Sequence, residues 1–285
     1  MSAVAAWLPC GTRLHLQHGP IDLILGADRP GRALAFAAAE ARFCTVLEEL
    51  VAELPHLRSA VTAQTPLPKG AIARQMWHAV RPHGAQRVTP MAAVAGAVAD
   101  TVLRAMTEAA PLRRAYVNNG GDIALHLSSG AAYTTAMSDH HAQEIGRIRL
   151  TADTPVRGVA TSGRHGRSLS LGVADAVTVL AGTAAQADVA ATLIANAVDL
   201  PGHPAITRQA ACTLDPDSDL GTRPVVTGCG PLTNCETAQA LDAGDRQAAR
   251  MQTAGLIHAA ALHLNGQTRL LGPCLTSHTR SLSHA

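Results

Sequence analysis

One helix dictates how closely this chain must pack. Thr89-Pro90 is a good helix start, with threonine as the cap and proline in the first turn, and the helix it predicts runs to about Ala109. Along one side that helix presents Ala92, Ala93, Gly96 and Ala97, a face with almost no side chain. Another backbone or a ligand has to come close there. Aromatics are 2% of the chain and apolar residues 47%, so the core must be built from Ala, Val, Leu and Ile. Small side chains fill space only when the elements that carry them approach closely. The 285 residues supply enough material for a sizeable core, and the expectation is a single domain over 1–285.

The rest of the chain divides into short, recognisable pieces. Residues 12–17 and 20–26 alternate in part around His18-Gly19-Pro20, which predicts a β-hairpin. Asp28 and Pro30 open a helix to about Leu54, with Leu47, Leu50, Val51 and Leu54 as its stripe and Pro55 as its end. A connector with Pro66, Pro68 and Gly70 precedes a short helix around 71–80. Residues 114–127 read as a strand interrupted by Asn119-Gly120-Gly121. Beyond the glycines, Ile123, Leu125 and Leu127 point one way and Asp122, Ala124 and His126 the other. Strands follow near 131–137, 145–150, 156–160 and 175–181, then a helix from Thr183 to about Val198 with a Thr183/Gln186 capping-box pattern. Residues 201–285 form a loop-rich C-terminal extension. It is loop at 201–232, helical at about 233–253, and ends in a hairpin, 256–264 and 268–271, that turns at Asn265-Gly266. No repeat is present. Strands outnumber simple βαβ units, which gives α+β with largely antiparallel sheets and packed helices.

Several function classes are disfavoured. Lys+Arg number 23 against 21 Asp+Glu, and no basic stripe is interleaved with aromatics, which argues against a nucleic-acid partner. No stretch approaches the roughly 20 apolar residues that span a bilayer, and residues 1–10 lack a basic region and a long apolar run. A cytoplasmic protein without a membrane partner is the expectation. Cys10, Cys44, Cys212, Cys229, Cys235 and Cys274 form no C-x-x-C pair and are expected to be reduced thiols, mostly buried. His140-His141 and His15/His18 have no supporting carboxylate or third ligand nearby in sequence and read as surface histidines. Asp215, Asp217 and Asp219 imitate the start of an EF-hand loop. Leu220 stands at its sixth position and Val226 at its twelfth, so a capped acidic loop is the better reading.

Three stretches could carry chemistry. In Val117-Asn118-Asn119-Gly120-Gly121-Asp122-Ile123, paired glycines within a strand mark a bulge or a close backbone approach. In Gly158-Val159-Ala160-Thr161-Ser162-Gly163-Arg164, a strand ends in two hydroxyls, a glycine and an arginine, which suits either a phosphate or a polar turn. In Ala187-Asp188-Val189-Ala190-Ala191-Thr192, Asp188 and Thr192 are one helical turn apart. A carboxylate and a hydroxyl on one face suit Mg²⁺, or are an ordinary solvated Asp and a back-bonded Thr.

Taken together and in order, these stretches resemble the ApbE-type FAD:protein FMN transferases, over roughly residues 90–198. Gly96 and Asp100 match the family's K-G-x-A-x-D helix. Asn118, Gly120, Gly121, Asp122 and Ile123 match its N-x-G-G-D-I strand, Thr161, Ser162 and Gly163 its T-S-G turn, and Ala187, Asp188 and Thr192 its A-D-x-x-x-T helix. The resemblance implies a two-layer, T-fold-related architecture. It implies FAD as the ligand, with Asp188 and Thr192 holding Mg²⁺ beside the pyrophosphate. It also implies that Gly96, Asn118, Asn119, Gly120, Gly121, Asp122, Thr161, Ser162, Gly163 and Arg164 line the flavin nucleotide. The chain departs from the family at Ala95, where the lysine would stand, and lacks the H-x-x-D-P-x-T-G block; Arg164 to Ala174 fill that gap. In this it is more similar to a shorter, uncharacterised ApbE-like family. The expected function is a Mg²⁺-dependent flavin nucleotide protein acting at the pyrophosphate, FMN transferase-like or FAD pyrophosphatase-like. The alternatives are a non-catalytic flavin-binding accessory protein and a homo-oligomeric scaffold joined through the bare helix face.

Overall fold

Alternating apolar residues decide which layer each strand faces. In the computed structural model, which describes residues 2–62, 64–141 and 143–277, the chain runs β1 (Val4–Trp7), β2 (Arg13–His18), β3 (Ile21–Ala27), α1 (Arg32–Ala52), α2 (Leu54–Leu57) and α3 (Ala71–Val80). Two 3₁₀ turns, Arg81–Gln86 and Pro90–Ala93, lead into α4 (Val94–Ala109). Then come β4 (Arg114–Asn119), β5 (Asp122–Leu127), β6 (Ala132–Ser138), β7 (Glu144–Thr151), β8 (Gly158–Ser162), β9 (Ala176–Ala181) and α5 (Ala184–Ala197). The last third holds β10 (Ile206–Ala210), α6 (Ala211–Leu214), β11 (Pro224–Cys229), α7 (Asn234–Thr253), β12 (Ala259–Leu264), β13 (Gln267–Leu271) and β14 (Leu275–Ser277).

Nine strands form one sheet in the order β1-β2-β3-β4-β5-β8-β9-β12-β13, with each neighbouring pair antiparallel. One face, carrying Leu16, Leu23, Leu25, Val117, Ala124 and Val179, packs against the helices. The other, carrying Leu125, Leu127, Val159, Leu180 and Ala261, packs against Ile148 and Leu150 of a smaller sheet, ordered β14-β7-β6. Covered on both sides, β9 and β12 are buried at every position, which accounts for their unbroken apolar runs. The α+β class with antiparallel sheets is observed, and the small sheet adds a partial third layer. The described residues 201–277 are no appendage, since β12 and β13 are strands of the large sheet.

Several sequence expectations are corrected. Residues 114–127 are not one interrupted strand but a hairpin. Asn119 pairs with Asp122, and Gly120 (φ 64°) and Gly121 (φ 113°) make the turn, a backbone path that suits glycine. Pro55 does not end the long helix but lies in the first turn of α2. Thr89 makes no cap; its hydroxyl donates to the Asp219 carboxylate, across 130 residues of sequence. Residues 201–232 contain the two-stranded β10–β11 ribbon. The cysteines are all free, and none is buried: Cys10, Cys44 and Cys235 are exposed, the others half-buried. His18 is not on the surface but 3% exposed, its ring edge-on to Phe43. No helix among the described residues is long and apolar enough to cross a membrane.

Candidate functional site

The first turn of α5 lies between two glycines. A Cβ on Gly96 of α4 or on Gly158 of β8 would collide with the backbone at Thr183 to Ala185, so both positions need glycine to let three elements meet. The bare helix face read from the sequence is thus covered from inside the molecule. Gly96 meets α5, and Asn119 also reaches α4, donating from Nδ2 to the Ala95 carbonyl at 3.1 Å. Thr183 caps α5 by accepting from the Gln186 N–H at 3.2 Å. Asp100 of α4 accepts from the N–H groups of Ala184 (3.1 Å) and Ala185 (3.0 Å) and from Gln75 Nε2 (2.8 Å). Burial still outweighs these bonds and pushes its carboxyl up to about 6.

One turn into α5, Asp188 accepts from the Gly96 N–H at 3.0 Å and also from the Ala95 N–H. Asp122, the first residue of β5, accepts from the Thr161 N–H where β5 and β8 diverge. The two half-buried carboxyls lie close enough for the charge of one to act on the other. Burial and the negative charge of Asp122 raise the Asp188 carboxyl well above its ordinary value. Burial raises Asp122 to about 7, against the pull of Arg167. That arginine follows β8 and lays its guanidinium over Gly120, where any side chain would displace it.

The three motif stretches therefore converge: the β4–β5 turn, the start of β8's last residues and the first turns of α5 meet beside α4. Within them, Asn118 Oδ1 accepts from the Gly121 N–H at 2.8 Å and fixes the turn. Thr161 bonds across the sheet to Thr178, hydroxyl to hydroxyl at 3.0 Å, and Ser162 pairs in register with Val177. Gly163 presses on the backbone of Asp175, leaving no space for a Cβ. Two predicted residues lie apart from this cluster. Arg164 is held by Asp175 at 2.7 Å in a different cleft. Thr192 lines a cavity of about 170 Å³ with Thr89, Asn196, Asp219 and Arg223. Next to Asn118 and Ile123, between the two sheets, lies a cavity of about 290 Å³ lined by Tyr116, Leu125, Tyr133, Ile148 and Val159. Burial pushes the Tyr133 hydroxyl up to about 12, so it remains a neutral donor. The cavity was not legible in the sequence, because Tyr133 reaches it from the small sheet; the alternation that points Ile123 and Leu125 to one side is the signal that could have found its wall.

Chemically, two interior carboxylates held by backbone N–H groups, with an arginine at their edge, form an acceptor set for a hard cation or for a shared proton. Residues 5–270 match the family described as AbpE bacteria. Among curated proteins, the chain is 36% identical over 179 residues to UPF0280 protein MK0206 of Methanopyrus kandleri, covering 61% of this chain and 69% of that one. It is 36% identical over 197 residues to a UPF0280 protein of Methanothermobacter thermautotrophicus, covering 67% and 68%. Among solved structures, the apo form of the flavinyl transferase ApbE of Pseudomonas stutzeri aligns over 97% of this chain and 94% of its own, at 12% identity and a TM-score of 0.49.

Proposed function

This chain belongs to the family described as AbpE bacteria, and on that premise we propose that it binds a flavin nucleotide, FAD foremost, with Mg²⁺, and acts at the pyrophosphate. The observation that carries the reading is the pair Asp122 and Asp188. Two acids delivered by different elements to one interior, both raised by burial and Asp188 further by its neighbour, are an arrangement that a divalent cation relieves. The donor set fits Mg²⁺, which takes few protein oxygens and completes its shell with phosphate and water. Asp188 and Asp122 would hold it, while Thr192, the other ligand the resemblance implied, lines a separate cavity. Bound there, the ion would neutralise phosphate charge as a Lewis acid.

The chain's own groups would do the rest. Arg167 supplies a fixed positive charge beside Gly120. Gly120 and Gly121 expose backbone rather than side chain. The cavity between Tyr116 and Tyr133 suits a flat, largely apolar ring, with Asn118 at its wall. Calorimetry tests this directly. FAD and ADP should bind in the presence of Mg²⁺ and not in its absence; Asp188→Ala should abolish binding, and Arg167→Ala should weaken it on the order of tenfold. Equal nucleotide affinity with and without Asp188 would overturn the metal half of the reading.

A second reading, binding without turnover, is favoured by Ala95, which stands where the resembling transferases carry a lysine. Losing a cationic partner to phosphate typically costs a few kcal/mol, enough to slow turnover by orders of magnitude. Incubation with FAD and Mg²⁺ separates the two readings: AMP release marks an enzyme, and tight binding with no AMP marks a carrier.

A further inference from the structure

We propose a second metal site, for a borderline divalent cation such as Zn²⁺, formed by His140, His165 and Asp175. The three come from two layers. His140 lies in the turn between β6 and β7 of the small sheet, and His165 and Asp175 lie in the segment between β8 and β9 of the large one. Their ligand atoms all lie within 4.8 Å of one another. The two imidazoles stack with centroids 3.8 Å apart and planes 10° apart, and His165 Nε2 is 3.2 Å from Asp175 Oδ1.

Two of the three ligands, His140 and Asp175, are already placed by neighbouring bonds. Asp139 accepts from the N–H groups of His141 (2.9 Å) and Gln143 (2.8 Å) and so shapes the turn that presents His140. Asp175 is 7% exposed, and its Oδ2 accepts from the Asn265 N–H at 2.7 Å. Arg164 bonds its Oδ1 through Nε and Nη2 at 3.0 and 2.7 Å, orienting the carboxylate and sharing it with an arriving cation. Metal entry replaces the His165–Asp175 hydrogen bond, and the two imidazoles turn out of their stack so that their in-plane lone pairs converge at the 2.0–2.2 Å that zinc takes from nitrogen and oxygen. Two nitrogens and one oxygen select Zn²⁺ or Co²⁺ over Mg²⁺, which prefers oxygen alone. The consequence is a clasp: an ion here ties the small sheet to the large one, away from the Asp122–Asp188 pair.

The test uses the full chain, stripped with a chelator and titrated with Co²⁺. The wild type should give the visible bands of a low-coordinate nitrogen–oxygen site with no thiolate charge-transfer band, and Zn²⁺ should bleach them and raise Tm. His140→Ala and His165→Ala each remove an exposed side chain, and each should lower affinity on the order of tenfold or more. Both should leave Mg²⁺-dependent FAD binding as it is in the wild type, so failure of this site and failure of the nucleotide reading are separable. Absence of the bands, bands with thiolate character, or bands that survive both substitutions would overturn the proposal.

Discussion

Ionising both Asp122 and Asp188 costs more than ionising either alone, and this sets the pH response of the cation-free protein. Asp122 is raised to about 7 and Asp100 to about 6, so in the folded state both hold protons that the unfolded chain has released. The stability they contribute is complete below the unfolded value near 4 and is lost as pH rises through about 6 and about 7. Each tenfold change in proton affinity is worth about 1.4 kcal/mol, so the loss is on the order of a few kcal/mol. His83 and His263, lowered by burial, act in the opposite direction over part of that window. The expected result is therefore a difference: Asp122→Asn should flatten the fall of Tm between pH 4 and 7, and saturating Mg²⁺ should flatten it in the wild type. Parallel curves for Asp122→Asn and wild type would refute it. At the surface, bonds from Arg13 Nε (3.4 Å) and Thr12 (3.3 Å) lower the Cys10 thiol to about 6. At neutral pH, mass spectrometry should show iodoacetamide labelling Cys10 ahead of Cys44 and Cys235, and Arg13→Ala should remove its lead.

Among the elements, α4 and α5 meet closely, and Gly96 is where a side chain would be felt. Gly96→Leu drives a branched side chain into the backbone of Ala184 and Ala185 and should destabilise by about 1–3 kcal/mol or more through overpacking. A melting temperature equal to wild type would show that the two helices do not approach so closely. The need for a close approach was legible in the run of Ala92, Ala93, Gly96 and Ala97; its partner was not, because α5 lies some ninety residues further along. Elements with a clear period were legible to within a few residues, β2, β3, α3, α7 and β12 among them. The β10–β11 ribbon was hidden, since its strands have no clean apolar face to announce them. For β1, all four residues are exposed, so burial imposes no alternation. The Gly120-Gly121 pair allowed a bulge or a turn, and only pairing across β4 and β5 distinguishes them.

At the scale of the whole molecule, the candidate site was partly legible because its motifs fall in order along the chain and the sheet folds them together. Contacts that join distant segments left no such trace: Thr89 with Asp219, Arg164 with Asp175, and His140 with His165. The histidines in particular lack any neighbour in sequence that would mark them. One arrangement at the centre of the fold also limits how the cleft can meet an anion. The amino end of a helix is normally a ready seat for phosphate, because its first N–H groups are free. In α5 that seat is taken: Asp100 holds the N–H groups of Ala184 and Ala185, and Thr183 holds that of Gln186. Under the proposed reading, a phosphate at this cleft would be met by Arg167 or by an added cation, and the hold on a nucleotide would rise and fall with divalent ion supply, as a switch rather than as a permanent property of the scaffold.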